Sequence, residues 1–184
     1  MNGAANQFFI GSTSERGFKV KVKEIMTAPV KSCSPAAHLA AVAEVMRKSS
    51  CGTLPVVDGV GKVIGMITDR DICLAMSQKD HDPSRSQVSE VISGKVYDCA
   101  PRDEVKHALK TMRKKKMKRL PVVTGAGVLK GIVSIGDIFL RARKAKGKKS
   151  EKPSYKNLAR TLQAICEPPV PKLAKSPPRK KAVK

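Results

Sequence analysis

Leu54-Pro55-Val56-Val57-Asp58-Gly59-Val60-Gly61 runs on through Lys62-Val63-Ile64 into Gly65-Met66-Ile67-Thr68-Asp69-Arg70-Asp71-Ile72. This stretch decides the fold because it occurs twice. Leu120-Pro121-Val122-Val123-Thr124-Gly125-Ala126-Gly127 and then Gly131-Ile132-Val133-Ser134-Ile135-Gly136-Asp137-Ile138 stand 66 positions later. Working outward, the correspondence continues without a gap back to Val22 and Val88. Pro35 matches Pro101, and Met46-Arg47-Lys48 matches Met112-Arg113-Lys114; 17 of 51 aligned positions are identical. A duplication of this length predicts two similar half-domains packed face to face, with a concave seam between them.

Short β-branched runs on either side of a glycine turn predict hairpins, 53–57 with 62–67 and 119–123 with 128–133. Upstream, Leu39, Val42, Ala43 and Met46, and again Val105, Ala108, Leu109 and Met112, fall at i, i+3, i+4 and i+7, the stripe of a helix with one buried face. Ser34-Pro35 predicts the helix start, a capping hydroxyl before a proline at the first helical position. Ala100-Pro101-Arg102-Asp103-Glu104 predicts the same, with acids in the first turn. Each repeat opens on a short amphipathic turn (22–26, 88–92) and a brief extended piece around Val30 or Val96. Each closes on a helix (69–77, 136–146). The expected unit is therefore β-α-β-β-α, in an α/β fold.

Trp is absent and aromatics make up 3% of the chain, so the core must be aliphatic. Cys33, Cys51, Cys73, Cys99 and Cys166 form no CxxC pair and no metal-ligand spacing with His38, His81 or His107, which points to thiols in a reducing compartment. Cys33 and Cys99 are repeat equivalents, which favours a shared packing role. No basic start precedes a long apolar run, and no stretch approaches the roughly 18 apolar residues of a membrane span, so a cytoplasmic protein is expected, with no membrane partner. The net charge of +22 is uneven: residues 141–184 hold 15 basic and 2 acidic side chains. The chain divides into an N-terminal segment (1–21), two motifs (22–77 and 88–146), a polar linker (78–87) and a basic Lys/Pro-rich tail (147–184). The tail is expected to be largely disordered around one short helix, with Leu158, Leu162 and Ile165 on one side, and dispensable for folding.

Val-x-x-Ile-Met at 22–26, Leu-Pro-Val-Val-Asp at 54–58 and Gly-Met-Ile-Thr-Asp-Arg-Asp-Ile at 65–72 resemble a CBS motif, named after cystathionine β-synthase. Two in tandem resemble a CBS pair, or Bateman module, from about Val22 to Leu140. The resemblance implies two β-α-β-β-α motifs in a pseudo-twofold pair that binds adenosine compounds in the inter-motif cleft. It implies that Thr68-x-x-Asp71 and Ser134-x-x-Asp137 mark the two sites. The chemistry is sound on its own terms: a carboxylate accepts from both ribose hydroxyls, and a helix N-terminus favours phosphate. The same spacing is also a helix capping box, and the two roles can coexist. Carried over, Asp71 would share a site with Met66, Thr68, Arg70, Val96, Tyr97, Lys118 and Arg119. Asp137 would share one with Val30, Lys31, Ile132, Ser134 and the neutral Gly52-Thr53. Arg119 and Lys118 can meet phosphate, or they can be the solvated end of a basic helix.

No nucleophile–base constellation appears, so a regulatory protein is expected rather than an enzyme. Its ligand would be AMP, ADP, ATP or S-adenosylmethionine, it would pass a signal to a partner, and it would form a homodimer through the closing helices. The alternative is a nucleic-acid-associated protein whose pair is a dimerising scaffold, its basic tail (147–184) meeting nucleic acid or an acidic protein.

Overall fold

The computed structural model describes residues 20–77, 82–92, 94–144 and 155–167. The expectations for residues 1–19, for the first part of the linker and for 145–154 and 168–184 lie outside the described residues. Each repeat contains a helix, an antiparallel hairpin and a second helix: α1 (Leu39–Lys48), β1 (Thr53–Val57), β2 (Val63–Thr68) and α2 (Asp69–Met76), then α3 (Val105–Lys115), β3 (Arg119–Val123), β4 (Leu129–Ser134) and α4 (Ile135–Lys144). A further helix, α5, spans Tyr155–Cys166. The expected first strand is reduced to a single parallel bridge in each repeat, Cys33 beside Val56 and Cys99 beside Val122. The fold is a mixed α/β pair of these units, and no described helix is long and apolar enough to cross a membrane.

Both glycine turns are tight. Asp58 Oδ1 accepts from the N–H groups of Val60 (3.1 Å) and Lys62 (2.8 Å), and Gly61 takes a φ of +80° that a side chain would resist. The helix starts depart from expectation. Residues 34–37 form a turn in which Ala37 N–H donates to the Ser34 carbonyl and Ala36 N–H to Ser34 Oγ; α1 begins only at Leu39, with His38 before it. The first N–H groups of α1 need no serine cap, because Leu39 donates to the Ser86 carbonyl and Ala40 to that of Pro83. Residues 83–86, expected as plain linker, thus close the helix end. Likewise α3 begins at Val105, whose N–H reaches the Val20 carbonyl, and Asp103 and Glu104 stand ahead of it rather than in its first turn.

The opening turns are exchanged. Val22, fully buried, belongs to the cluster of the second motif with Val105, Leu109, Met112, Leu120 and Ile138. Val88, also fully buried, belongs to that of the first, with Leu39, Val42, Leu54 and Ile67. Backbone bonds hold each turn in place: Val22 N–H to Asp103 O, Lys23 N–H to Pro101 O, Val88 N–H to Ala37 O and Ser89 N–H to Pro35 O. Thr27 pairs with Ile132, so close to β4 that a Cβ on Gly131 would lie 2.7 Å from the Thr27 carbonyl oxygen. A pseudo-twofold axis relates the halves. It passes between positions that face their own repeat equivalents: Lys62 bridges Val128, and Arg119 Nη1 donates to Thr53 Oγ1 at 3.4 Å.

The core is aliphatic, as composition requires, with one addition from the region expected to be dispensable. On α5, Leu158 is 2% exposed and joins the second motif's cluster against α3, Thr161 is also buried, and the Tyr155 ring meets Phe139 edge-on at 6.1 Å. The spacing of Leu158, Leu162 and Ile165 suggested a helix but not its docking, because Leu162 stays 40% exposed while the polar Thr161 is buried, its hydroxyl bonded to the Asn157 carbonyl. Leu158→Ala should lower stability by about 2–5 kcal/mol, and Leu162→Ala by much less. Equal denaturant midpoints for Leu158→Ala and wild type would contradict this docking.

Cys33 and Cys99 each sit 3.9 Å from a proline carbonyl, Pro55 and Pro121. Burial pushes the Cys33 thiol up to about 11; burial, helped by Asp103 and Asp98, pushes Cys99 up to about 12. Both stay protonated, hence weak nucleophiles, at neutral pH. At pH 8 an aromatic disulfide reagent should titrate the exposed Cys73 and Cys166 quickly and Cys99 only on unfolding. Reaction of Cys99 at the rate of Cys73 would overturn this assignment.

Candidate functional site

Where each hairpin delivers its second strand into the closing helix, the chain forms the same small constellation. Thr68 ends β2 in extended backbone and caps α2. Its N–H (2.9 Å) and its hydroxyl (2.7 Å) both donate to Asp71 Oδ2, and its Oγ1 accepts from Asp71 N–H at 3.2 Å. Ser134 and Asp137 repeat the arrangement at 2.8, 2.7 and 3.1 Å. The capping box of the sequence is therefore real in both motifs. It engages one carboxylate oxygen and leaves the other, Oδ1, without a hydrogen bond among the described residues. Both aspartates are half-buried. Each offers a fixed, open acceptor beside a helix N-terminus, a combination suited to vicinal hydroxyls.

The exchanged segments bring the remaining expected residues to the seam. Val30 and Lys31 lie between Thr27, paired with Ile132 of the second motif, and Cys33, paired with Val56 of the first. Val96 and Tyr97 make the opposite crossing, from Ile92, which lies against Gly65, to Cys99 beside Val122. Met66, Val96, Val30 and Ile132 are half-buried, whereas Arg70, Lys118, Arg119 and Lys31 are exposed. Arg119 lies on the axis. Its long bond to Thr53 points it toward the first motif, since Thr53 is the strand partner of Thr68. Gly52 and Lys118 act through backbone carbonyls, which accept from Asp69 N–H and Ile135 N–H. The Tyr97 ring turns toward the end of α3, with Lys95 Nζ 5.6 Å and Lys115 Nζ 4.4 Å from its centre. These ammonium groups, Lys95 first, hold its phenol below the usual tyrosine value. Among the described residues no hydrogen bond joins Arg70, Tyr97 or Lys118 to Asp71. No group of three or more His, Cys, Asp and Glu residues there is placed to hold a metal.

A concavity of about 450 Å³ lies elsewhere, between Ala43, Met46 and Arg47 of α1, the loop 50–52, and Asp69 and Ile72 of α2. It contains none of the residues expected to bind ligand except Gly52, whose missing Cβ leaves room for the Asp69 carboxylate: Oδ2 would lie 2.6 Å from such a carbon. The sequence reading missed it, although the repeat carries the signal. The counterparts of Ala43, Met46 and Ile72 are Leu109, Met112 and Ile138, which share a buried cluster with Leu158. The hollow in the first motif is thus the face that α5 covers in the second.

The CBS domain family model matches residues 22–78 and 88–143. An uncharacterized 17.7 kDa protein of Acidianus ambivalens is 36% identical over 119 residues, covering 64% of this chain and 70% of that one. The CBS domain-containing protein YhcV of Bacillus subtilis is 34% identical over 117 residues, covering 64% and 81%. Among solved structures, the CBS domain pair of protein MJ0100, in complex with 5′-methylthioadenosine and S-adenosyl-L-methionine, superposes with a TM-score of 0.60 at 27% identity, over 66% of this chain and 94% of that one. CBSX2 in complex with AMP superposes at 0.62 over 71% and 100%, but at 21% identity shows the fold alone. The repeat, its exchanged turns and its paired Thr/Ser-x-x-Asp boxes thus have a family: this chain belongs to the CBS-domain proteins, as a tandem pair.

Proposed function

We propose that this chain is a regulatory CBS pair that takes an adenosine-containing ligand at the seam between its motifs and passes that occupancy to a partner. The observation that carries the reading is the spare carboxylate oxygen of Asp71 and of Asp137, each fixed by a capping box beside a segment that crosses from the other motif. The ligands of the MJ0100 pair support it, since both contain a ribose and an adenine. Each aspartate accepts the ribose hydroxyls. Met66 and Val96 in one cleft, and Val30 and Ile132 in the other, supply apolar walls.

The two clefts are not equivalent. Arg70 and Lys118 have Gly136 and Gly52 as repeat counterparts, and Arg119 extends toward Thr53 of the first motif. Phosphate leaving water needs matched charge, and charge-assisted hydrogen bonds are about twice as strong as neutral ones. The Asp71 cleft therefore binds AMP, ADP or ATP more tightly, and the Asp137 cleft binds them more weakly or prefers a less anionic ligand such as adenosine or S-adenosylmethionine. Leu74 and Met76 of α2 and Phe139 and Leu140 of α4 are about half exposed, an apolar set that a second copy would cover in a homodimer.

Calorimetry with AMP, ATP, adenosine and S-adenosylmethionine tests the assignment. Asp71→Ala should weaken the tighter AMP or ATP event tenfold or more, and Asp137→Ala should leave it in place, with thermal melts confirming that both variants fold. Loss of that event in Asp137→Ala alone would reverse the assignment, and no adenosine-dependent heat from the wild-type chain would end it. Arg119→Ala should weaken ATP more than adenosine; equal losses would remove Arg119 from the phosphate end.

A further inference from the structure

We propose that the exposed face of α3 is a surface that binds the phosphodiester backbone of nucleic acid without reading bases. The two repeats share a fold but not a charge. Residues 22–77 hold six basic and five acidic side chains, whereas 88–144 hold fourteen and five. The contrast is sharpest between α1 and α3, which occupy equivalent places. On α1, Glu44 binds Arg47 through two bonds of 2.7 Å and Lys48 at 3.3 Å, neutralising the helix end locally. On α3 the counterpart of Glu44 is Lys110, and Arg113 and Lys114 keep the places of Arg47 and Lys48. The helix contains no acid between Val105 and Lys115.

Lys110, Arg113 and Lys114 stand at i, i+3 and i+4, on one face and all exposed, and among the described residues no carboxylate pairs with any of them. Like charges at these spacings cost helix stability. The helix dipole favours cations in the last turn, which accounts for Arg113 and Lys114 but not for Lys110. Lys106, paired with Glu104 at 2.7 Å, and His107 complete the face, which presents no aromatic or large aliphatic side chain. Protein interfaces are anchored by aromatic or arginine side chains seated in desolvated pockets, whereas a nucleic-acid backbone needs only exposed cations such as these.

Helix α5, which packs against α3, is also basic on its exposed side. Lys156 and Arg160 are exposed on α5, and Lys116 Nζ donates to the Glu167 carbonyl at 3.1 Å. The end of α5 therefore lies beside the basic end of α3. This role does not depend on what occupies the seam.

The test is fluorescence anisotropy on the full chain, with labelled duplex DNA and labelled single-stranded RNA of scrambled sequence, from about 50 to 200 mM salt. Wild type should bind with a steep salt dependence. Lys110→Gln/Arg113→Gln/Lys114→Gln should weaken binding about tenfold or more at the lowest salt and flatten the slope by about two to three. Its thermal melt should match wild type, since all three positions are exposed. Arg47→Gln/Lys48→Gln/Arg85→Gln removes the same charge from the first half and should bind as wild type does. A loss on duplex and RNA together assigns the shared backbone, and a loss on one alone names the polymer; both support the surface. Three results would overturn it: wild-type binding by the α3 variant, an equal loss in the first-half variant, or polyglutamate displacing the probe as well per charge as unlabelled duplex.

Discussion

Two valines hold the architecture together. Val22 and Val88 each enter the apolar core of the motif to which they do not belong in sequence, and both are fully buried. Neither motif completes its core with its own residues. The backbone bonds of each turn serve the neighbour too, at the loop before α3 and the loop before α1. This exchange strings Val30-Lys31 and Val96-Tyr97 across the seam. The segments that line the seam are therefore consequences of how the cores are filled rather than additions to a finished scaffold. Gly65 and Gly131 belong to the same constraint, because a side chain on either would collide with the crossing segment, at Ile92 or at Thr27.

Much of this was legible in sequence, and for physical reasons. The hairpins and both helix stripes follow local periodicity, and Thr53–Val57 and Arg119–Val123 fall where the β-branched runs place them. The boxes at Thr68 and Ser134 were visible because a capping box is a local bond pattern. What was not legible depends on distant partners. Ser34 and Pro35 resemble a helix start, yet the helix waits for His38 and Leu39 because carbonyls from residues 83 and 86 satisfy its first N–H groups. The stripe of Leu158, Leu162 and Ile165 did not say which of them would be buried, or against what, since the docking of α5 is set by the shape of α3. The hollow at Ala43 depends on the same docking, as it reflects a covering helix that, among the described residues, only the second motif has.

The two motifs have diverged in opposite directions. The first pairs charges locally on α1, where Glu44 holds Arg47 and Lys48. The second leaves Lys110, Arg113 and Lys114 open to water and uses apolar residues, Leu109 and Ile138 among them, to seat α5. A shared backbone thus supports one half that is locally neutral with an open hollow and one that is covered and strongly basic.

The axis through Thr53 and Arg119 has a consequence for how such a protein could arise. In a symmetric dimer of two identical single motifs, any residue on the axis must face itself. An arginine there would meet another arginine, two like charges across a few ångströms, and a neutral residue would offer no cation at all. Joining the copies in one chain lifts that restriction. Position 53 stays threonine while position 119 becomes arginine, and the pair forms a hydrogen bond where identical partners would repel. Fusion thereby lets a single cation stand at the centre of the assembly without a like charge facing it.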